Sequence, residues 1–372
     1  MNRLLFTLHK WLGLVTGIFL LAVGVSGSFL VYSNSLDRIF NKELYSIDRH
    51  GNRLSLDAMY NIVLRKYGRD FAACSFDLPA TDAEVVEFTL TKPQTSYHAR
   101  EMVLVDVHPY TGAILREGSC GDISVSFVHW VMYFHDSFHA GRIGMLVVTI
   151  VSMTVFLSII TGLFFYGRRL KNVLHFRLPL NKQERYRSLH LYVGVSALAF
   201  NMLACFTGFW MMRGTFSRDA WRLDSPRPKS HLSVSIDSCL AASRAILPGF
   251  EPDFVSIPYS SGDLIEIDGN MANTPAITHG DACRVVIDPA SGKVVEARDA
   301  TRAPFPENLT ATVWPLHIGN YGGDFLKILY IIGGLMPGML SITGFVMWWR
   351  RRGEMDNFLQ EFFGSMTSQI ED

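Results

Sequence analysis

The sequence predicts an α-helical membrane protein: four transmembrane helices in a bundle, with two external α+β domains. Three observations carry that expectation. Four runs, 11–32, 143–166, 191–212 and 328–349, contain no Asp, Glu, Lys, Arg or His. Each exceeds the roughly 20 residues that cross a hydrocarbon core of about 30 Å. Basic residues crowd the short segments beside two of these runs, and the chain repeats itself along its length. At 372 residues two or three soluble domains would otherwise be expected. The formal net charge of zero says nothing of partners, and no nucleic acid is expected among them.

The elements follow in order. Residues 1–34 hold the first span. Arg3 and Lys10 ahead of an apolar stretch also suit a signal peptide, but the length of the run and its recurrence in the third span favour a retained helix. Residues 35–128 form the first external domain. There Leu54-Ser55-Leu56-Asp57-Ala58-Met59 opens a helical pattern to about Lys66, with Ser55 or Asp57 available as cap. Stretches 85–91 and 102–107 alternate like strands, and a turn at Pro109 and Gly112 closes the unit. Span 129–167 leads into a basic loop, 168–188, with Arg168, Arg169, Lys171, Arg177, Lys182, Arg185 and Arg187 against Glu184 alone. Such loops stay cytoplasmic, as should the N-terminus and the Arg350-Arg351-Arg352 that opens the tail 351–372.

Span 189–213 precedes the second external domain, 214–316, whose Val234-Ser235-Ile236-Asp237 helix and strands ending in Asp288-Pro289-Ala290-Ser291-Gly292 copy the first. Span 317–350 follows, where Pro337 should kink the helix. This orientation puts both external domains outside the cytoplasm, as in a periplasm. Cys74, Cys120, Cys239 and Cys283 all fall in these domains, where disulfides form readily, with three pairings open. Cys205 lies within the third span as a packed apolar residue.

Histidines mark the same duplication. His9 precedes Gly27 by 18 residues, and His190 precedes Gly208 by 18. His135 precedes Thr161 by 26, and His317 precedes Thr343 by 26, within Ile160-Thr161-Gly162 and Ile342-Thr343-Gly344. Helices 1 and 3 run outward, so His9 and His190 belong near the inner face. Helices 2 and 4 run inward, so His135, His139 and His317 belong near the outer face. One histidine from each of two helices, pointed into a bundle core, forms an axial ligand pair. Two imidazoles on one haem iron leave no open position, which suits electron transfer. The candidate ligands are therefore His9 with His190, and His317 with His135. His139 is the alternative fourth ligand because its local sequence, His139-Ala140-Gly141, resembles His317-Ile318-Gly319; His129 is a weaker candidate.

Gly13 and Gly194, four residues after their histidines, leave room for the edge of a macrocycle or serve helix packing. A His135–His139 pair on one helix face would also suit a bare metal ion. His98, His108 and His279 read as surface or turn residues. Trp130, Tyr133, Trp314 and Tyr321 read as interfacial anchors, and Lys10 and Arg187 as candidate propionate partners.

The unit ending in Val105-Asp106-Val107-His108-Pro109-Tyr110-Thr111-Gly112 resembles a PepSY domain. Leu8-His9-Lys10-Trp11-Leu12-Gly13, the segment from His135 to Gly144, and Leu316-His317-Ile318-Gly319 with Gly322-Gly323 resemble the PepSY-associated transmembrane family of iron-regulated bacterial membrane proteins. The likeness covers about residues 5–352. Members include inner-membrane ferric-siderophore reductases with two b-type haems. The resemblance implies two haem b groups, a ferric siderophore or other ferric chelate as electron acceptor, and oxidoreductase activity. Cytoplasmic segments are too short for a flavin or nucleotide domain, and no Gly-rich phosphate loop follows a strand, so quinol or a separate reductase is the expected donor. The rivals are a haem-free PepSY regulatory or binding protein and an iron or siderophore permease. Spans without charged residues argue against the permease.

Overall fold

The computed structural model describes residues 2–68, 71–166, 181–224, 232–258, 262–272, 274–278, 282–303 and 305–368. His279 and the basic residues Arg168, Arg169, Lys171 and Arg177 lie outside them. The chain divides into two units, one helical (Met1–Ser28, Ile150–Phe209, Leu329–Asp372) and one mixed (Phe29–Thr149, Trp210–Ile328).

The protein is a membrane protein whose apolar runs fold as helices. Arg3–Leu30, Gly141–Phe164 and Gly323–Arg352 are each long and apolar enough to cross a bilayer. They belong to α1 (Asn2–Leu30), α6 (Gly141–Tyr166) and α11 (Gly323–Ser368). The third run is not one straight helix. It comprises α7 (Lys182–Ser196) and α8 (Leu198–Met212), with a 61° bend between the two halves. The break falls at Ala197, between Ser196 and Leu198.

Hydroxyls inside the spans are satisfied by their own helices: Thr16 donates to the Leu12 carbonyl (2.7 Å), Ser26 to Ala22 (2.8 Å) and Ser28 to Gly24 (2.8 Å). Helices α1 and α11 approach through small residues. A Cβ on Gly24 would stand 2.5 Å from the Gly334 carbonyl oxygen, so only glycine permits this backbone contact. Pro337 is held inside a continuous α11.

In the mixed unit, α2 (Ser33–Phe40) and α3 (Lys42–Tyr45) precede α4 (Leu56–Tyr67), β1 (Ala73–Asp77), β2 (Val86–Thr91), β3 (Met102–Val107) and β4 (Ile114–Ser119). Then come α5 (Phe127–Ser137), α9 (Ile236–Ile246), β5 (Phe250–Pro258), β6 (Ile265–Met271), β7 (Cys283–Ile287), β8 (Val294–Arg298) and α10 (Phe305–Ile318). The two sequence repeats do not form separate sheets. They share one eight-stranded antiparallel sheet, β4-β3-β2-β1-β5-β6-β7-β8. At its centre Ser75 pairs with Ser256 and Phe76 with Val255. Helices α4 and α9 cover one face, over a core that includes Met59, Val63, Phe76, Phe88, Ile236, Ile257 and Ile267.

Ser55 caps α4 through the Ala58 amide (3.2 Å), and Ser235 caps α9 through Ser238 (3.1 Å). Asp57 instead reaches across to α9, accepting from the Ile236 amide (2.8 Å) and the Ser235 hydroxyl. Asp237 reciprocates, accepting from the amides of Leu56 (3.3 Å) and Asp57 (3.1 Å). Each helix N-terminus is thus neutralised by an acid of the other repeat. The external cysteines make no bridges: Cys74, Cys120, Cys239 and Cys283 are separate buried thiols.

The opposite sheet face carries a buried charged cluster. Arg116 bonds Glu87 (2.7 Å) and Asp106 (2.5 Å) and approaches Asp37 (3.6 Å). Burial, then Glu87, pushes Asp106 up to about 7; burial, despite Arg116, pushes Glu87 up to about 7.

Candidate functional site

The expected ligands meet in two pairs, one in each unit. In the helical unit the rings of His9 (α1) and His190 (α7) stand 6.3 Å apart, centre to centre, and nearly perpendicular at 83°. In the mixed unit the rings of His135 (α5) and His317 (α10) stand 6.2 Å apart at 55°. With a metal–imidazole bond of about 2 Å and about 1.1 Å from nitrogen to ring centre, two rings on opposite sides of one ion stand about 6.2 Å apart. Both ring spacings equal that distance to within about 0.1 Å.

Ring orientation supports the same chemistry. His9 Nδ1 lies 2.9 Å from the Ser158 carbonyl oxygen and 3.2 Å from its hydroxyl. A carbonyl only accepts, so Nδ1 carries the hydrogen and Nε2 the lone pair. His190 Nδ1 lies 2.8 Å from the Thr343 hydroxyl. That hydroxyl already donates to the Met339 carbonyl (2.8 Å), so it accepts from Nδ1 and again leaves the lone pair on Nε2. A second-shell acceptor on one nitrogen, fixing the tautomer for the other, is the usual arrangement of ligating histidine.

The glycines divide into two sets. At Gly13 an added Cβ would meet no atom within 4 Å, and at Gly194 only Leu340 Cδ2, at 3.6 Å. Open space therefore adjoins Gly13. Gly162 and Gly344 lie directly against the rings: a Cβ would stand 3.2 Å from His9 Cε1 and 3.6 Å from His190 Cε1. The Ile-Thr-Gly repeat held this signal, since it places one glycine opposite each inner histidine.

The outer pair does not sit on the spans themselves. His135 lies on α5 and His317 on α10, each a lead-in helix ended by left-handed residues before its span begins: Phe138 (φ 49°), His139 (φ 57°) and Gly141 (φ 55°) in one repeat, Gly319 (φ 73°) and Gly323 (φ 67°) in the other. The path from His135 to Gly162 is therefore not a single helical rise. The turn also separates the two candidates for the fourth ligand. His135 faces His317, while the His139 ring packs on Trp130 at 4.8 Å. Among the described residues no group of three His, Cys, Asp or Glu is placed to hold a bare metal ion. His129 joins the charged cluster, with Nδ1 2.9 Å from Ser126 Oγ and Nε2 3.5 Å from Glu87. His98 is exposed, and His108 Nδ1 accepts from the Tyr110 and Thr111 amides of its turn. Lys10 lies over the Trp11 ring. Tyr133 is buried rather than interfacial.

With this geometry in view, the family assignment is direct: the PepSY-associated TM region matches residues 6–351. The chain belongs to that family. It is also 22% identical, over 251 aligned residues, to an uncharacterised protein of Pseudomonas aeruginosa, an alignment covering 60% of this chain and 63% of that protein. The chain thus spans under two thirds of the length of the relative it matches.

Proposed function

We propose that this PepSY-associated membrane protein is a four-span, inner-membrane electron carrier with two b-type haems, one per histidine pair. It passes electrons outward to reduce a ferric siderophore or another ferric chelate in the periplasm. Bound haem supplies a one-electron couple that cycles without opening a coordination position. His9 and His190 offer Nε2 lone pairs from opposite helices, their Nδ1 hydrogens held by Ser158 and Thr343. His135 and His317 offer the second pair. The reduction adds one electron to the ferric ion, giving the more weakly held ferrous ion, and the electron comes from quinol or a separate reductase.

The observation that carries this reading is the ring spacing, 6.3 Å and 6.2 Å, reached independently in the two units. Purification from haem-replete cells, followed by oxidised and reduced spectra and a pyridine haemochrome count, tests it. Two haems per chain are expected; a colourless protein overturns the reading. Reoxidation of the reduced protein by a ferric siderophore then tests the acceptor, and a spectrum that stays reduced removes it.

A further inference from the structure

Where α6 begins and α8 ends, the mixed unit holds a cavity of about 200 Å³, lined chiefly by Met145, Met211, Met212 and Trp221 and bordered by Arg142. Its volume is below the roughly 300 Å³ at which small-molecule sites begin. An unbranched apolar chain would fit it, and methionine side chains adapt to such a shape. The walls are held in place. Trp221 donates its indole hydrogen to the Thr215 carbonyl (2.7 Å), and the Thr215 and Thr149 hydroxyls meet at 3.3 Å. Tyr97 donates to the Trp221 carbonyl (2.7 Å).

Arg142 is half-buried in the first turn of the span Gly141–Phe164. Its Nη1 donates to two backbone carbonyls, those of Ala220 and, at 2.8 Å, Arg222. Two carbonyls fix the guanidinium without neutralising it. Nε and Nη2 have no partner in the protein, and neither is sealed from solvent. That free edge is the one that takes an oxyanion through two parallel hydrogen bonds. The connector after α8 carries Arg213, Arg218 and Arg222 against Asp219 and Asp224. Asp219 is taken by Arg222 (3.3 Å), and Asp224 accepts from the Gln94 amide (2.6 Å). Among the described residues, no carboxylate lies within 4.0 Å of Arg142, Arg213 or Arg218. The same connector exposes Phe216 and Leu223. Basic and apolar side chains together at the end of a span are the composition of a bilayer interface.

We propose that this corner of the molecule binds one anionic glycerophospholipid, its phosphodiester on the free edge of Arg142 and one acyl chain in the methionine-lined cavity. Arg213 and Arg218 add the positive field that selects a net-negative head group. Both nearby acids are engaged, so neither is free to hold the ammonium of a zwitterionic one. The position, at the head-group end of two spans, draws the lipid directly from the leaflet. Binding does not depend on haem content.

Native mass spectrometry of the full chain, freed of co-purified lipid in detergent, tests the site with dioleoyl phosphatidylglycerol and dioleoyl phosphatidylcholine as probes. The first phosphatidylglycerol should bind at least about tenfold more tightly than the first phosphatidylcholine, as a charge-assisted hydrogen-bond pair implies. Arg142→Gln should abolish that preference while leaving phosphatidylcholine binding unchanged. Arg213→Gln combined with Arg218→Gln, both at exposed positions, should reduce it at least about threefold. Glycerol phosphate at millimolar concentration should not displace the lipid; displacement would make this a site for a free phosphate ester and overturn the acyl-chain assignment. Equal binding of the two lipids, or a preference that Arg142→Gln retains, overturns the proposal. Should Arg142→Gln not accumulate, the exposed pair decides: an unchanged preference in that variant overturns it.

Discussion

Thr343→Val should weaken binding of the inner haem proposed for His9 and His190, whereas Ser158→Ala should not. Both inner rings have a backbone acceptor, Leu340 for His190 and Ser158 for His9, but their hydroxyl contacts differ. His190 also meets the Thr343 hydroxyl at 2.8 Å, which valine removes at nearly constant volume. His9 rests chiefly on the Ser158 backbone carbonyl at 2.9 Å, and alanine there deletes only the 3.2 Å hydroxyl contact. Loss of a second-shell partner to a ligating histidine costs about 10–100-fold in affinity, or about 1.4–2.8 kcal/mol. Deleting the weaker Ser158 contact should cost less than about 0.5 kcal/mol, the low end for a single hydrogen bond. Competition of the haem-loaded protein against excess apomyoglobin reads the affinity. The midpoint potential of the same haem should rise in Thr343→Val, because a ring that has lost one of its acceptors is a poorer donor to ferric iron. Thr343→Ser should restore both values. Equal losses in Thr343→Val and Ser158→Ala, or a larger loss in Ser158→Ala, would refute the assignment of tautomer and anchor.

Three further outcomes are expected. His135→Ala should lower the haemochrome count from two haems to one, and His139→Ala should leave it at two, because only His135 faces His317; the reverse result would move the outer ligand to the turn. Asp57→Ala should cost about 1–2 kcal/mol, read by chemical denaturation of the full chain, since it removes the crossed contacts to the Ile236 amide and Ser235 hydroxyl and leaves Asp237 as the one acid at two helix N-termini; a change under about 0.5 kcal/mol would show that the crossed caps are incidental. The pKa values of Asp106 and Glu87 are raised in the fold, so the protonated cluster favours folding at acidic pH and that contribution is lost as pH rises through about 7. Thermal unfolding from about pH 5 to about pH 8 should therefore fall more steeply in the wild type than in Asp106→Asn, and parallel profiles would count against a shared proton in the cluster.

The apolar runs, the repeat and the strands at 86–91 and 102–107 were legible because each is a local pattern in hydrophobicity or turn residues. So were the four histidines, whose offsets recur at each end of the duplication. What escaped was contact between repeats. No pattern within residues 73–77 announces that this strand will pair with 250–258 of the other copy, and Asp57 reads as a cap for its own helix until Asp237 is seen beside it. The breaks ahead of the spans escaped for a different reason. Phe138 is not a residue that favours positive φ, so little local marks a turn there, and a continuous helix through His135 was the natural expectation. The buried cluster around Arg116 is likewise a meeting of β2, β3, β4 and α2 that only the folded chain produces.

Those inter-repeat contacts share one form. Asp57 caps the helix that carries Asp237, and Asp237 caps the helix that carries Asp57. Strand β1 pairs antiparallel with β5, its counterpart in the second copy, so that residue 75 meets 256 and residue 76 meets 255. His9 meets His190, and His135 meets His317, each with the residue at its own position in the other repeat. Contacts of equivalent with equivalent are what a two-fold relation between copies produces. That relation explains why a single histidine per repeat suffices at each level. One imidazole placed near the axis is met by its duplicate from the other side, and two facing imidazoles arise without any further change in sequence. Differences between the copies then mark where the halves have separate work. Asp106 and Arg116 are matched in the second sheet half by Val286 and Glu296, and that half instead pairs Arg284 with Asp268 and Glu266.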